Sequence, residues 1–178
     1  MMSFQLLFSN NSVRNTAIYC QDLGIRYEIS KHDGVVSVYR WDASISRNLR
    51  VGEFKLPFFS KDMVKLGGET EWRRLDTFLY RSSWLSSSRS FVGNNGKEYR
   101  WKVKNGGVVL HSVSHKTRTP LVTFHRHYRK KHPSYLEVHD PSILHTLDSI
   151  IVSFLIMERK RRDEEAENAA VDGATGAV

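Results

Sequence analysis

Eight consecutive residues, His125-Arg126-His127-Tyr128-Arg129-Lys130-Lys131-His132, set four fixed cations and three histidines between two apolar runs. Charge and donated hydrogen bonds at this density suit a phosphate-bearing partner, either lipid headgroups or nucleic-acid phosphates. A solvated hairpin tip would have the same composition. Arg126, Arg129, Lys130 and Lys131 are therefore the anion- or lipid-binding candidates. His125 and His127 alternate as one face of a strand would require, and His111 and His115 are near in sequence. No cysteine pair or carboxylate accompanies them at a ligand spacing, so surface histidines are expected and no metal.

His145 and Asp148 stand three apart in the first turns of a strongly apolar predicted helix, where a buried carboxylate would need a partner and capping the mouth of the enclosing fold is the modest reading. A catalytic dyad there would need a nucleophile, an oxyanion loop and a third residue, and none is identifiable. Gly67-Gly68 and Gly106-Gly107 lack the lysine and the following helix of a phosphate-cradling loop. Trp72, Trp84, Trp101, Tyr99 and Phe124 could stack on bases, but aromatics within alternating strands belong more often to a core. Recognised RNA and DNA motifs are missing, so nucleic acid is not an expected partner. We expect no catalytic residue and no cofactor.

These residues must be positioned by a single domain, the usual outcome for 178 residues. The net charge of +8 is uneven: from Glu158 onward there are four basic and six acidic residues, which leaves 23 Lys and Arg against 13 Asp and Glu, a net +10, in residues 1–157. Such a field favours polyanions without choosing among them. Cys20 is the one cysteine, which excludes an intramolecular disulfide scaffold. With no basic region before the apolar patch Phe4 to Phe8, a signal peptide is not expected. A cytoplasmic monomer is the expectation, peripheral to a membrane where the polyanion is a lipid surface.

Short runs separated by turn residues fill the chain up to residue 139 and predict an antiparallel β domain. Ile25, Tyr27 and Ile29 alternate with Arg26, Glu28 and Ser30, the period of a half-buried strand. His32-Asp33-Gly34 and Asn94-Asn95-Gly96 are hairpin turns that tolerate positive φ. Glu71 to Arg74 reads as extended toward Leu75, Phe78 and Leu79, and Ser82 to Ser90 as a surface loop. About ten strands result.

Asp140 and Pro141 mark a helix start, as N-cap and first helical residue. The run Ile150 to Met157, IIVSFLIM, holds Ser153 as its one polar member, and a helix apolar on every side has to be enclosed. The run falls short of the roughly 18 apolar residues of a bilayer span. Ten strands and an enclosed helix predict an antiparallel β-barrel wrapped around a helix at about 141–165. Arg159 to Arg162 would be the solvated exit of that helix, and 166–178 a disordered tail.

Five stretches in this order carry a resemblance: Asp62 to Gly68 (DMVKLGG), Trp72 to Leu79 (WRRLDTFL), Ser88 to Val103 (SRSFVGNNGKEYRWKV), Leu121 to Arg126 (LVTFHR) and Leu147 to Arg162 (LDSIIVSFLIMERKRR). From about Phe4 to Arg162 the chain resembles an uncharacterised fungal family of domains of unknown function, the one numbered 6593. Its members look like distant relatives of the tubby C-terminal and LURP-one-related barrels. The resemblance implies a β-barrel threaded by a hydrophobic C-terminal helix and supplies no activity. Some tubby-like proteins bind phosphoinositides through basic surface residues, and scramblase relatives act at membranes. The expected function is thus a non-enzymatic domain that binds an anionic membrane surface, a phosphoinositide or another polyanion. A protein-interaction or structural module, and an enzyme or carrier using the barrel interior, are the alternatives. The last of these predicts a cavity beside the helix.

Overall fold

The computed structural model describes residues 3–81, 87–104, 106–114, 119–127 and 132–175. Its strands are β1 (Phe4–Phe8), β2 (Thr16–Cys20), β3 (Ile25–His32), β4 (Val35–Asp42), β5 (Arg47–Lys55), β6 (Met63–Leu66), β7 (Arg73–Arg74), β8 (Arg89–Val92), β9 (Glu98–Lys104), β10 (Gly107–Ser112), β11 (Val122–His125) and β12 (Tyr135–Val138). A 3-10 turn, Pro141–Thr146, leads into the helix α1, Leu147–Thr175. Among the described residues the fold is mainly β, with one sheet and one C-terminal helix.

All twelve strands join one antiparallel sheet in the order β7-β6-β5-β4-β3-β2-β1-β12-β11-β10-β9-β8. Each half is a meander, and the halves meet where β1 pairs with β12, Phe4 opposite Val138. Hairpin chemistry sets the registers. Asp33 and Gly34 take φ of 47° and 79° between β3 and β4, as a tight turn of that handedness demands.

Among the described residues twelve strands replace the expected ten or so, and the sheet is not a closed barrel: β7 and β8 are its outermost strands and do not pair with each other. The reason lies at Leu75, Phe78 and Leu79. They are spaced three and four apart, and Leu75–Thr77 folds as a 3-10 turn that turns all three side chains inward instead of prolonging β7. Phe78 meets Phe91 of β8 with ring centroids 5.8 Å apart, and Tyr80 forms a single antiparallel bridge to Ser90. Side chains fill the gap that ladder hydrogen bonds leave.

The sheet wraps α1 on every side. Ile150, Ile151, Val152, Phe154, Leu155 and Ile156 are fully buried, and burying an aliphatic or phenylalanine side chain contributes about 1.5–3 kcal/mol each. Phe154 packs edge-on against Phe124 of β11 (4.8 Å) and Phe8 of β1 (5.9 Å), with Trp101 of β9 at 5.8 Å. From the opposite half, Gly52 of β5 lies so near that a Cβ there would stand 2.7 Å from Cγ2 of Val152. Ser153 is polar for a reason: its Oγ accepts from Trp101 Nε1 at 2.9 Å and donates to the Ile150 carbonyl at 3.0 Å.

The helix start matches the cap expected, since the Asp140 carboxylate accepts from Ser142 N at 2.9 Å with Pro141 in the first turn. The helical segment is longer than expected and continues through 166–175. By length and composition Pro141–Val171 reaches what a bilayer crossing needs, contrary to the shorter run counted from sequence. However, 67% of its apolar window is buried within the sheet, which accounts for the apolarity.

Candidate functional site

Because the strands alternate in direction, every second connection falls at the end of the sheet where α1 leaves it. That exit end collects the β1–β2, β3–β4, β5–β6, β9–β10 and β11–β12 connections together with the segment leading to β8. Basic residues far apart in sequence meet there around helix residues 158–167.

Glu158 is fully buried, and its carboxylate accepts from Arg161 Nε at 2.7 Å and Nη2 at 2.9 Å, and from Arg162 Nε at 2.7 Å. Hydrogen bonding to Glu158 pushes the Arg161 guanidinium above its ordinary value, against the opposing effect of burial. Arg162 also donates to the Asn11 carbonyl, and Asn11 Nδ2 donates to the His127 carbonyl at 2.6 Å. Ser134 Oγ completes the link, donating to Asn11 Oδ1 at 2.6 Å and accepting from His127 N at 3.0 Å. The helix exit is thus a neutralised, partly buried network tied to the β1–β2 and β11–β12 loops, and not the solvated cluster expected of Arg159 to Arg162.

The four predicted anion ligands divide. Arg126 is 21% exposed and its Nη1 lies 3.0 Å from Glu165, which also pairs with Arg161. Burial alone would raise the Glu165 carboxyl, but the Arg126 hydrogen bond and the Arg161 charge hold it below its ordinary value. Arg126 therefore fastens the β11–β12 loop to the helix. Arg129, Lys130 and Lys131 lie outside the described residues, as do Trp84, His115 and residues 82–86 of the stretch expected to be a surface loop, whose last two residues, Arg89 and the fully buried Ser90, belong instead to β8.

Sequence reasoning missed the β5–β6 connection. Phe58 and Phe59 are 85% and 95% exposed, their rings edge-to-face with centroids 4.8 Å apart. The segment is anchored at both ends. Leu56 packs against the core, the Asp62 carbonyl accepts from Leu75 N at 2.9 Å, and the Asp62 carboxylate pairs with Lys160. On one side of the tip is a cleft of about 500 Å³ lined by Lys31, Lys55, Lys61 and Arg159 with Asp33 as its acid. On the other is a cleft of about 650 Å³ in which Arg81, Arg89, Arg159 and Lys160 face Asp62, Asp163, Glu164 and Glu167. The first cleft is basic and the second balanced. Burial, and then the neighbouring Arg81 charge, hold the Arg89 guanidinium below its ordinary value. The available sequence signal was two adjacent phenylalanines after a proline, which in an extended chain cannot both face one core.

At the opposite end, His145 and Asp148 do not form a pair. Asp148 accepts from Tyr27 Oη at 2.6 Å and from Arg40 Nε at 3.0 Å, while the exposed His145 ring meets Asn95 Nδ2 at 3.0 Å. Burial first, and then the Asp148 charge, push the Tyr27 hydroxyl well above its ordinary value, so it stays a protonated donor. These contacts lock the start of α1 to β3 and β4.

The histidines also separate. His125 bonds Glu137 Oε2 at 2.9 Å and stacks on Tyr135, whereas His127 Nδ1 meets the Pro133 carbonyl at 2.9 Å. Among the described residues no three His, Cys, Asp or Glu side chains converge as metal ligands would. Trp101, Tyr99 and Phe124 are core residues, and Trp72 lies beneath the amines of Lys55 (4.2 Å) and Lys65 (5.0 Å).

Comparison with curated proteins and with solved structures finds no match. A family model does match, across residues 11–163, which takes in every strand of the sheet but β1, together with the whole enclosed portion of α1. The chain belongs to the family of unknown function DUF6593.

Proposed function

We propose that this is a non-enzymatic, cytoplasmic domain that docks, as a monomer, on anionic lipid through the basic loops at the exit end of its sheet. The observation that carries this reading is the convergence on one end of the molecule of cations distant in sequence: Lys31 from the end of β3, Lys61 from the β5–β6 connection, Arg81, and Arg14 and Arg126, which also face Asp163 and Glu165. A positively charged face of this kind attracts an anionic leaflet at about 1 kcal/mol per Lys or Arg near the surface. Arg129, Lys130 and Lys131 follow closely on Arg126 in the sequence and enter the proposal on that ground alone. The side chains of Phe8, Trp101, Phe124 and Phe154 fill the space around the helix, which weighs against a ligand in the interior. A fungal origin and kinship with the tubby C-terminal and LURP-one-related barrels, with phosphoinositide as the lipid, belong to the same reading. Its support is the shared plan of a β-sheet wrapped around an apolar C-terminal helix.

Co-sedimentation with phosphatidylcholine vesicles, with and without phosphoinositide, tests the proposal. Charge-dependent pelleting that weakens in the Arg129→Glu, Lys130→Glu variant is the expected result. No pelleting on anionic vesicles, or pelleting indifferent to those reversals and to salt, would overturn it.

A further inference from the structure

The phenylalanines of this protein are distributed unevenly. There are nine, of which six are buried and Phe4 packs against the core, leaving Phe58 and Phe59 almost wholly in water. Scattered exposed apolar residues need no explanation, but two adjacent rings at the apex of one connection form a compact apolar tip. The tip is also held in place rather than loose. Pro57 fixes its own φ and offers no amide donor, while Leu56 and Asp62 are fastened to the core, to Leu75 and to Lys160.

Charge decides what such a tip meets. Lys31 and Lys61 are exposed beside it in the basic cleft, and Lys55 and Arg159 lie deeper in the same wall. An aromatic apex with lysines at its shoulder complements the layered chemistry of a bilayer surface, where apolar chains lie below anionic headgroups. A protein groove offering the same pair of features would need acidic residues around a narrow apolar slot. The lipid surface supplies both without any fitted shape.

We infer that Phe58 and Phe59 form a wedge that enters the headgroup–acyl boundary of an anionic bilayer, with Lys31 and Lys61 contacting the lipid phosphates beside it. This rests on the lipid-docking reading above and adds to it an apolar, salt-resistant component of binding. The balanced cleft, which Phe58 itself helps to line, adds no net charge attraction, since Glu164 and Glu167 stand in it; the charge comes from Lys31 and Lys61, across Leu56 and Pro57.

The test uses vesicles of phosphatidylcholine alone and of an equimolar phosphatidylcholine–phosphatidylserine mixture. Wild type, the Phe58→Ser, Phe59→Ser variant and the Arg129→Glu, Lys130→Glu variant are compared at low and high salt. Both rings being exposed, the serine variant keeps its melting temperature. The expected result is binding to the anionic mixture that is about tenfold weaker for each ring removed, from the apolar area a phenylalanine takes out of water, with loss of the salt-resistant fraction. A second measurement places an environment-sensitive fluorophore on Phe59→Cys, the native Cys20 being buried; its emission shifts to the blue on anionic vesicles only. Wild type that binds the mixture while the serine variant binds equally and the label does not shift overturns the wedge and leaves the basic-loop reading standing. Wild type that binds neither vesicle overturns both. If the serine substitutions instead turn a dimer into a monomer in sedimentation velocity and leave vesicle binding unchanged, the tip is a contact between copies and the inference is wrong.

Discussion

Ser153→Ala is the sharpest probe of how α1 sits in its sheet. The Ser153 hydroxyl and the Trp101 indole are both fully buried and joined at 2.9 Å. Alanine removes one oxygen and almost no volume, so the packing cost is small. What remains is an indole N–H sealed from water with no acceptor, a penalty of about 1–3 kcal/mol. The Ile150 carbonyl, which Ser153 also engages, keeps its place in the intrahelical ladder and adds little. For a chain of this size each kcal/mol moves Tm by about 2–4 °C, so a fall of roughly 2–12 °C is expected. Thermal melts followed by far-ultraviolet circular dichroism measure it. Trp101→Phe, made alone and with Ser153→Ala, closes a double-mutant cycle, since with the donor gone the alanine should cost much less. The expected coupling is about 1 kcal/mol or more. An unchanged or raised Tm in Ser153→Ala, with zero coupling, would mean that the helix presents another face to β9.

Two further outcomes follow from the other half of the sheet. Gly52→Ala should destabilise by about 1–3 kcal/mol, because its Cβ would stand 2.7 Å from Val152 Cγ2; adding Val152→Ala should recover part of the loss, and a melt showing no recovery would refute the contact. Glu53 makes a pH prediction. Burial alone would raise its carboxyl, but the Lys65 hydrogen bond and the charges of Arg50 and Lys65 hold it below its ordinary value. The unfolded state then binds the proton more readily, so this stabilisation is present above the ordinary glutamate pKa and declines as the pH falls toward the lower folded value. Denaturant titrations between neutral pH and about pH 3 should show a shallower acid loss for Glu53→Gln, and equal slopes would refute it.

The strands were legible where one face is wet. Tyr27 and Ile29 are buried and Arg26 and Ser30 exposed, as their alternation requires. The enclosed helix was legible because IIVSFLIM leaves no polar side. Closure was not, because period-two alternation tells which face is buried and nothing about whether edges pair. The run from Glu71 has an extended pattern toward Leu75, Phe78 and Leu79, although the spacing of these three also fits one helical turn. The charged run after Met157 misled in a different way. Composition suggests solvent, but Glu158 is buried because Arg161 and Arg162, three and four residues on, reach back to it. At the candidate site, composition located the cations around Arg126, whereas the Phe58–Phe59 tip carries no periodic signal and its neighbours Lys31 and Arg159 are distant in sequence.

The order of the elements has a consequence for synthesis. All twelve strands leave the ribosome before the helix that fills them, so their apolar inner face must wait for its partner. At ordinary elongation rates of about 5–20 residues per second, the stretch from Val138 to Met157 takes about 1–4 s to appear. During that interval the strands have an empty lining rich in Val, Ile and Phe, and apolar surface left open in this way makes a nascent chain prone to aggregation. The domain should therefore fold late and all at once, and chaperones that shelter β-rich nascent chains should find it a demanding client.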